Sequence, residues 1–256
     1  MIKLGDERLS KQAWYIGCGE SEVAERVILI GDPARVGRLA MLLTDVHWVT
    51  ESRSLRTITG SYGGQKVTAA AFGMGAPIAA IVLHELAHLG AKVFLRIGTA
   101  MALPPVLLGE YLIGVDALAE DGTSKAYGNS GEPAVADATL VAALEATLKA
   151  TQWPWRKGRF ASFDGFYRDM FALEPQVTER VAQLRRSMTK QGVLVMDMES
   201  SAIFTVAKVL GVKASSLCVA TVDNVTQRKL DAEEMTRLEN RLFHLALDAV
   251  VRTATD

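Results

Sequence analysis

The sequence has few of the features that mark secreted, metal-binding or membrane proteins. It holds two cysteines in 256 residues, Cys18 and Cys218, which are too few for a disulfide framework and lack a zinc-ligand spacing. No apolar run reaches the roughly 18 residues of a membrane span, and no basic start followed by an apolar core opens the chain, so we expect no secretory signal. These absences predict a cytoplasmic protein with two buried thiols and no membrane partner.

The sequence also lacks a strong net charge, internal repeats and low-complexity tracts. Its formal charge of -1 produces no field that would attract nucleic acid, so we expect a small-molecule ligand. His84 and His88 lie one helical turn apart, but the residues between them do not form the HExxH zinc motif, and no metal is predicted. A hydrophobic content of 49% suffices for one large core, and we predict one domain over residues 1–256.

What the sequence does contain is an alternation of short apolar runs and amphipathic segments. This order predicts an α/β fold with a central mixed, twisted sheet flanked by helices in three layers. Strands are predicted at 27–30, 46–49, 66–72, 93–99, 110–115, 157–162, 193–196 and 214–222, and helices at 33–43, 77–89, 137–150, 200–210 and 232–251. Residues 1–26 are predicted to form an irregular segment on the body, 51–72 a hairpin turning at 62–64, and 121–133 a glycine-rich loop of the kind that covers sites.

The first strand and helix are joined by a turn that is typical of an anion site. Gly31 ends the strand, Asp32 is the predicted N-cap and Pro33 takes the first helical position. This arrangement puts free backbone N–H groups and the positive end of a helix at one point. Arg35 lies near the helix start and is predicted to reach a bound anion, whereas Arg38, one turn further on, is predicted to be a plain surface arginine.

Arg96 is the most informative single residue, because it lies inside the apolar run 93–99. A guanidinium in a buried strand is costly unless it is paired or bound to an anion. An internal salt bridge and a bound ligand are the two alternatives, and we favour the ligand. We therefore expect that Arg96→Ala leaves the fold intact, since the charge would serve the ligand rather than the core.

Polar residues, glycines and aromatics follow other predicted strands, where ligands bind in open α/β sheets. Asp197 and Glu199 stand between a strand and the helix after it, where a simple helix N-terminal charge is the alternative to ligand binding. Gly73 and Gly75 permit close approach of a ligand to the backbone. Phe166 follows a further strand, where its ring stacks on a planar ligand or packs in the core.

Taken together, these strand ends suggest a phosphate site beside a sugar-and-base site. The chain resembles the trimeric and hexameric nucleoside phosphorylase family from Val27 onward, and its uridine phosphorylase branch in particular. The motifs are Gly-Asp-Pro-x-Arg-Val at 31–36, Phe-Leu-Arg-Ile-Gly-Thr at 94–99, Pro-Ala-Val-Ala-Asp at 133–137 and Met-Glu-Ser at 198–200. The resemblance implies cleavage of a nucleoside to free base and ribose or deoxyribose 1-phosphate, with inorganic phosphate as co-substrate and no cofactor. It also implies a homo-oligomer, a hexamer in which a dimer is the smallest active unit.

The resemblance implies a role for each matching residue. Phosphate would be held by Gly31, Arg35, Arg96 and Thr99, with Arg53 reaching into the neighbouring subunit's site. Ribose would be held by Met198 and Glu199, and Tyr15 stands where many relatives have a histidine for the 5′ hydroxyl. The base would be met by Phe166, Gly73, Arg168 and Asp223. The implied catalytic residues are Arg96, Glu199 and Asp223.

Asp223 would donate or share a proton with the leaving base, which requires a raised pKa. Asn224 is the alternative residue at that position, and an amide would only hydrogen-bond. The Gln-x-Arg pair with which uridine phosphorylases read uracil is missing after Phe166-Tyr167. The base therefore stays open, and the alternatives are a purine nucleoside phosphorylase, a hydrolytic nucleosidase of the same fold and a non-catalytic nucleoside-binding protein. Three arginines favour phosphorolysis over hydrolysis.

Overall fold

Residues 12–256 are described by the computed structural model of the protein, and strands and helices alternate along them. The strands are β1 (Arg26–Ile30), β2 (Thr44–Ser52), β3 (Leu55–Tyr62), β4 (Gln65–Ala71), β5 (Val93–Ala102), β6 (Tyr111–Glu120), β7 (Ala134–Val135), β8 (Trp155–Phe163), β9 (Val193–Asp197) and β10 (Lys213–Asp223). The helices are α1 (Pro33–Ala40), α2 (Ala76–His88), α3 (Gly122–Ala126), α4 (Ala138–Lys149), α5 (Thr178–Lys190), α6 (Ser200–Leu210) and α7 (Ala232–Arg252).

All ten strands belong to one mixed sheet. Strand β1 lies between β4 and β5 and pairs with both in parallel. On its other side, β5 pairs in parallel with β10. Strands β10, β6, β8 and β9 follow one another, and β9 returns to pair with the end of β5, so these five strands close into a ring. The carboxyl ends of β1, β4, β5 and β10 consequently lie along one edge, where ligands of parallel sheets bind.

Helices cover both faces of the sheet, which confirms the predicted three-layer fold. Side chains of α2 and α6 pack with Phe94 and Phe160 on one face. Side chains of α1, α4 and α7 pack with Leu95 and Ile97 on the other. Since alternate residues of a strand point to opposite faces, Arg96 lies on the same side of β5 as Phe94, toward α2 and α6.

Most predicted elements are present, with shifted ends, and a few elements, among them the short strand β7, were not predicted. Helix α1 ends at Ala40 rather than 43, β2 is longer than 46–49, and the predicted loop 121–133 begins with α3. The hairpin turn at 62–64 is confirmed, with φ of +57° at Gly63 and +78° at Gly64. Helix α5 was not predicted. Of the initial irregular segment, residues 1–11 lie outside the described residues.

Across residues 12–256, no helix is both long enough and apolar enough to cross a bilayer.

Candidate active site

Arg96 is held by two carboxylates that come from the junction between β9 and α6. Its Nη1 lies 3.2 Å from Asp197 Oδ2, and its Nη2 donates to Glu199 Oε2. Nη1 also lies 2.8 Å from Sγ of Cys218, which is on the neighbouring strand β10. All four residues are buried. The internal salt bridge, the alternative that the sequence left open, is therefore present.

This geometry corrects the expectation that the Arg96 charge serves a ligand and not the core. Burial acts to lower the pKa of Arg96, but the negative charges of Asp197 and Glu199 outweigh it and raise the pKa. Burial also raises the pKa of Cys218 to about 12 in spite of the nearby guanidinium, so the sulfur is a neutral thiol. Without Arg96 two buried carboxylates would lose their counter-charge, and Arg96→Ala cannot leave the fold unaffected.

Serine hydroxyls hold both carboxylate oxygens of Asp197. Ser162 Oγ donates to Asp197 Oδ1 at 2.5 Å, and Ser200 Oγ donates to Oδ2. Ser200 Oγ also lies 2.7 Å from Ser216 Oγ on β10. Since a buried carboxylate is costly unless its lone pairs are satisfied, these contacts fit Asp197 to hold Arg96 rather than to bind a ligand itself.

Glu199 stands at the start of α6 and reaches across to the start of α2. Its Oε1 accepts the N–H of Gly75 at 2.8 Å, while its Oε2 accepts Arg96. Gly75 has a φ of +98°, which a residue with a side chain rarely adopts. The glycine that the sequence assigned to close ligand approach thus donates its backbone N–H to the carboxylate, and Glu199 joins β5, α2 and α6 at one point.

Glycines make room at the strand ends beside this cluster. Ile30 of β1 pairs in register with Ile97 of β5, so Gly31 lies beside Gly98. A Cβ on Gly98 would stand 3.4 Å from Arg96 Nη1, and a Cβ on Gly31 would stand 3.0 Å from the carbonyl oxygen of Gly73. Gly73 in turn donates its N–H to Gly31 O at 2.9 Å. Gly31, Gly73, Thr99, Arg96 and Glu199 are thus neighbours at one edge of the sheet.

The start of α1 has the predicted N-cap, since Asp32 accepts the N–H of Ala34 at 2.9 Å. Arg35 Nη2 lies 2.7 Å from Glu239 Oε1 on α7. Arg38 is not the plain surface arginine that the sequence predicted, because its Nη1 lies 2.6 Å from Glu239 Oε2. It also stacks over the ring of Phe243. The two arginines of α1 therefore share one buried carboxylate.

Asp223 does not have the raised pKa that a proton donor to the base requires. Its Oδ1 accepts the N–H groups of Val225 and Thr226, at 2.9 and 2.7 Å, and the Thr226 hydroxyl at 3.0 Å. Burial acts to raise the pKa of Asp223, but these bonds and the charge of Arg228 hold it below its ordinary value. Because this carboxylate caps the turn after β10, it lacks the raised pKa that a proton donor to the base would need. Asn224 is buried and donates from Nδ2 to Met170 O at 2.8 Å.

We expect Asp223→Asn to keep most of the catalytic activity and to lower the free energy of unfolding by about 1 kcal/mol, through the weakened turn bonds. Steady-state kinetics between pH 5 and 8 and urea unfolding measure both quantities. Thr226→Val is the matched control, since it removes one donor to the same carboxylate. A fall in kcat of about a hundredfold, the size of a lost general acid, would contradict this expectation.

The predicted base and sugar contacts pack against one apolar cluster. Phe166 starts a π-helical turn, stacks at 6.0 Å on Phe171, and packs with Met198 against a core that includes Met101 and Met170. Arg168 is exposed on the same turn. Met198 and Phe166, which the sequence assigned to sugar and base, are thus brought together.

Tyr15 and Arg53 contact each other, and both lie away from the Arg96 cluster. Arg53 forms the β2–β3 turn with a φ of +53°, and its guanidinium carbon lies 5.3 Å from the centre of the Tyr15 ring. The Tyr15 N–H donates to Glu85 at 2.8 Å. Glu85 is near the opposite end of α2 from Gly75, about 15 Å along the helix axis. These two residues do not join the site of their own chain.

Known proteins match both the sequence and the fold. A family model described as the phosphorylase superfamily matches residues 25–252. A protein named uridine phosphorylase from Thermococcus kodakarensis is 31% identical over 216 residues, which are 83% of this chain and 78% of that relative. A protein named purine nucleoside phosphorylase DeoD-type 2 from Vibrio cholerae is 31% identical over 241 residues, or 93% of this chain and 98% of that relative. The crystal structure of uridine phosphorylase from Vibrio fischeri has a TM-score of 0.85 and 31% identity, covering 96% of this chain and all of that one. The chain therefore belongs to the phosphorylase superfamily.

Proposed function

We propose that the protein is a nucleoside phosphorylase, which uses inorganic phosphate to cleave a nucleoside into free base and ribose or deoxyribose 1-phosphate. The observation that carries this proposal is the buried Arg96–Glu199 pair at the strand ends beside Gly31. Relatives named uridine phosphorylase and purine nucleoside phosphorylase support the same reaction. We also propose a cytoplasmic location, which two unpaired thiols support.

Inorganic phosphate binds between the Gly31 turn and Arg96 in this proposal. The backbone N–H groups and the positive end of α1 attract an anion at that turn. Thr99, half-buried and one residue beyond Gly98, offers a hydroxyl. Arg35 has one Nη on Glu239 and keeps other N–H donors for the anion.

The nucleoside lies on the other side of Arg96. An ionised carboxylate has about four lone-pair sites, and Gly75 and Arg96 occupy two of those on Glu199. The remaining sites accept the ribose hydroxyls, while Met198 lies against the sugar. The base lies against Phe166, near Gly73 and the exposed side chain of Arg168. At the end of β10, the amide of Asn224 is the alternative to Asp223 for a hydrogen bond to the base.

The chemical step needs no covalent intermediate on the enzyme. A phosphate oxygen forms a bond to C1′ while the bond from C1′ to the base nitrogen breaks, and the electron pair of that bond leaves with the base. The proton that the phosphate dianion HPO₄²⁻ loses on becoming an ester ends on the base, so the products are ribose 1-phosphate dianion and the neutral free base. The ribosyl centre becomes positively charged during this exchange, so a phosphate dianion held close by Arg96 and backbone N–H groups stabilises it.

A second copy of the chain completes each site in this proposal. Arg53 and Tyr15 lie away from the Arg96 cluster of their own chain, where a neighbour's site can receive them. Trp14 is 86% exposed and Trp48 on β2 is 52% exposed, and aromatic side chains are enriched at interfaces between chains. Sedimentation velocity measures the assembly, and a fully active monomer would rule out a shared site.

The reaction and the base are tested together with uridine, thymidine, inosine and adenosine, each with and without inorganic phosphate. Release of base that requires phosphate, with ribose or deoxyribose 1-phosphate as the second product, is the expected result. Equal release without phosphate would instead identify a hydrolytic nucleosidase. The nucleoside with the highest kcat/KM decides between a uridine phosphorylase and a purine nucleoside phosphorylase.

A further inference from the structure

Glu239 is a buried carboxylate that the proposed reaction does not use. It lies on α7, on the sheet face opposite Arg96, and is 4% exposed. Its two oxygens each take a different arginine of α1, Oε1 at 2.7 Å from Arg35 Nη2 and Oε2 at 2.6 Å from Arg38 Nη1. A carboxylate is rarely buried unless its partners satisfy it, and these two guanidinium groups do so.

The two arginines differ in the number of N–H donors that remain free for a ligand. Arg38 uses both of its Nη atoms: Nη1 is on Glu239, and Nη2 donates to Asn240 Oδ1 at 2.6 Å and to Thr236 O at 3.1 Å, while the guanidinium lies over Phe243. Arg38 of α1 is therefore held on α7 by several contacts, and it keeps the Glu239 carboxylate in place. Arg35 is bonded to Glu239 through one nitrogen, and its side chain is 17% exposed.

Arg35 is the arginine that stands at the Gly31 turn. Its Nε lies 3.9 Å from Asp32 Oδ2, a separation too long for a hydrogen bond. A free arginine side chain has rotamer entropy to lose on binding. Holding one nitrogen on a buried carboxylate removes part of that cost beforehand and fixes where the other donors point.

We propose that Glu239 is a positioning residue, which orients Arg35 so that its free donors meet inorganic phosphate at the Gly31 turn. This inference rests on the proposed function, because it requires inorganic phosphate to bind at the Gly31 turn. Glu239 does not touch the substrate. It links the C-terminal helix α7 to the phosphate-binding end of β1.

The sign of the effect separates positioning from simple electrostatics. Removing a negative charge near an anion site would by itself tighten phosphate binding. Positioning predicts the opposite. We expect Glu239→Ala to raise KM for phosphate about tenfold, with KM for the nucleoside and kcat at saturating phosphate within twofold of the wild type. Glu239→Gln keeps one oxygen acceptor, so a smaller rise of about threefold is expected, and this variant serves if the alanine form does not fold.

Asp248→Asn is the matched control, since Asp248 lies on the same helix and accepts the Tyr62 hydroxyl at 2.9 Å without touching α1. It should leave both KM values unchanged. An unchanged or lower KM for phosphate in the Glu239 variants overturns the inference, and so does an equal rise in Asp248→Asn. Calorimetry of the wild type with inorganic phosphate tests the proposed function separately. If the wild type does not bind phosphate and its turnover does not depend on phosphate, both the proposed function and the Glu239 inference fail. If the wild type binds phosphate and the Glu239 variants do not behave as expected, only the Glu239 inference fails.

Discussion

Replacing Arg96 with alanine is expected to abolish phosphorolysis and to lower the free energy of unfolding by about 3–5 kcal/mol. The loss of activity follows from removal of the guanidinium that holds both phosphate and Glu199 in the proposed site. The loss of stability follows from Asp197 and Glu199, which would remain buried at 3% and 5% exposure without their counter-charge. Urea unfolding and steady-state kinetics, the latter well below the unfolding midpoint, measure the two losses.

The two losses are separated by a second substitution. Adding Asp197→Asn to Arg96→Ala removes one orphaned charge, so part of the stability should return while activity stays absent. Arg159→Ala is the matched control, because Arg159 Nε lies 2.7 Å from Asp116 Oδ1 in a half-exposed pair. Such a pair contributes about 0–1 kcal/mol. Wild-type activity in Arg96→Ala would refute the assignment of Arg96, and wild-type stability would refute its role in the core.

The sequence predicted those parts of the site that depend on local signals. The Gly31 turn and its Asp32 cap are encoded by neighbouring residues, and both are present. The burial of Arg96 followed from the apolar residues around it. Its partners did not, because Asp197 and Cys218 reach Arg96 only through the order of strands β9, β5 and β10. The same holds for Glu239, which is about 200 residues from Arg35 and Arg38 in the chain.

Of two further differences, the one at Asp223 has a clear signal in the sequence and the one at helix α5 has only a weak one. Asp223 is followed three residues later by Thr226, a spacing typical of a carboxylate that caps a turn. That spacing predicts the capping role that Asp223 has in the structure. Helix α5 was missed because its apolar stripe is narrow, with Val181 and Met188 as its buried residues. A mostly polar helix has weak periodicity, and packing rather than pattern determines its place.

Glu199→Gln is expected to reduce kcat/KM for the nucleoside about a hundredfold and to leave phosphate binding unchanged or tighter. Glu199 Oε1 accepts Gly75 N–H and Oε2 accepts Arg96, so a glutamine must turn its NH₂ group toward one of these donors. The ribose hydroxyls would also lose a charged acceptor, and hydrogen bonds to charged groups contribute about 1.5–3 kcal/mol each. A hundredfold change corresponds to about 2.7 kcal/mol.

Phosphate should respond in the opposite direction, because Arg96 would lose one of its two carboxylates and keep more of its charge for the anion. A 2′-deoxynucleoside offers one hydroxyl fewer to Glu199, so the penalty of Glu199→Gln should be smaller with deoxyuridine than with uridine. Glu110→Gln is the control, since Glu110 is a buried carboxylate bonded to Arg156 at 2.6 Å. Weaker phosphate binding with an unchanged KM for the nucleoside would show that Glu199 belongs to the phosphate side of Arg96 and not to the sugar.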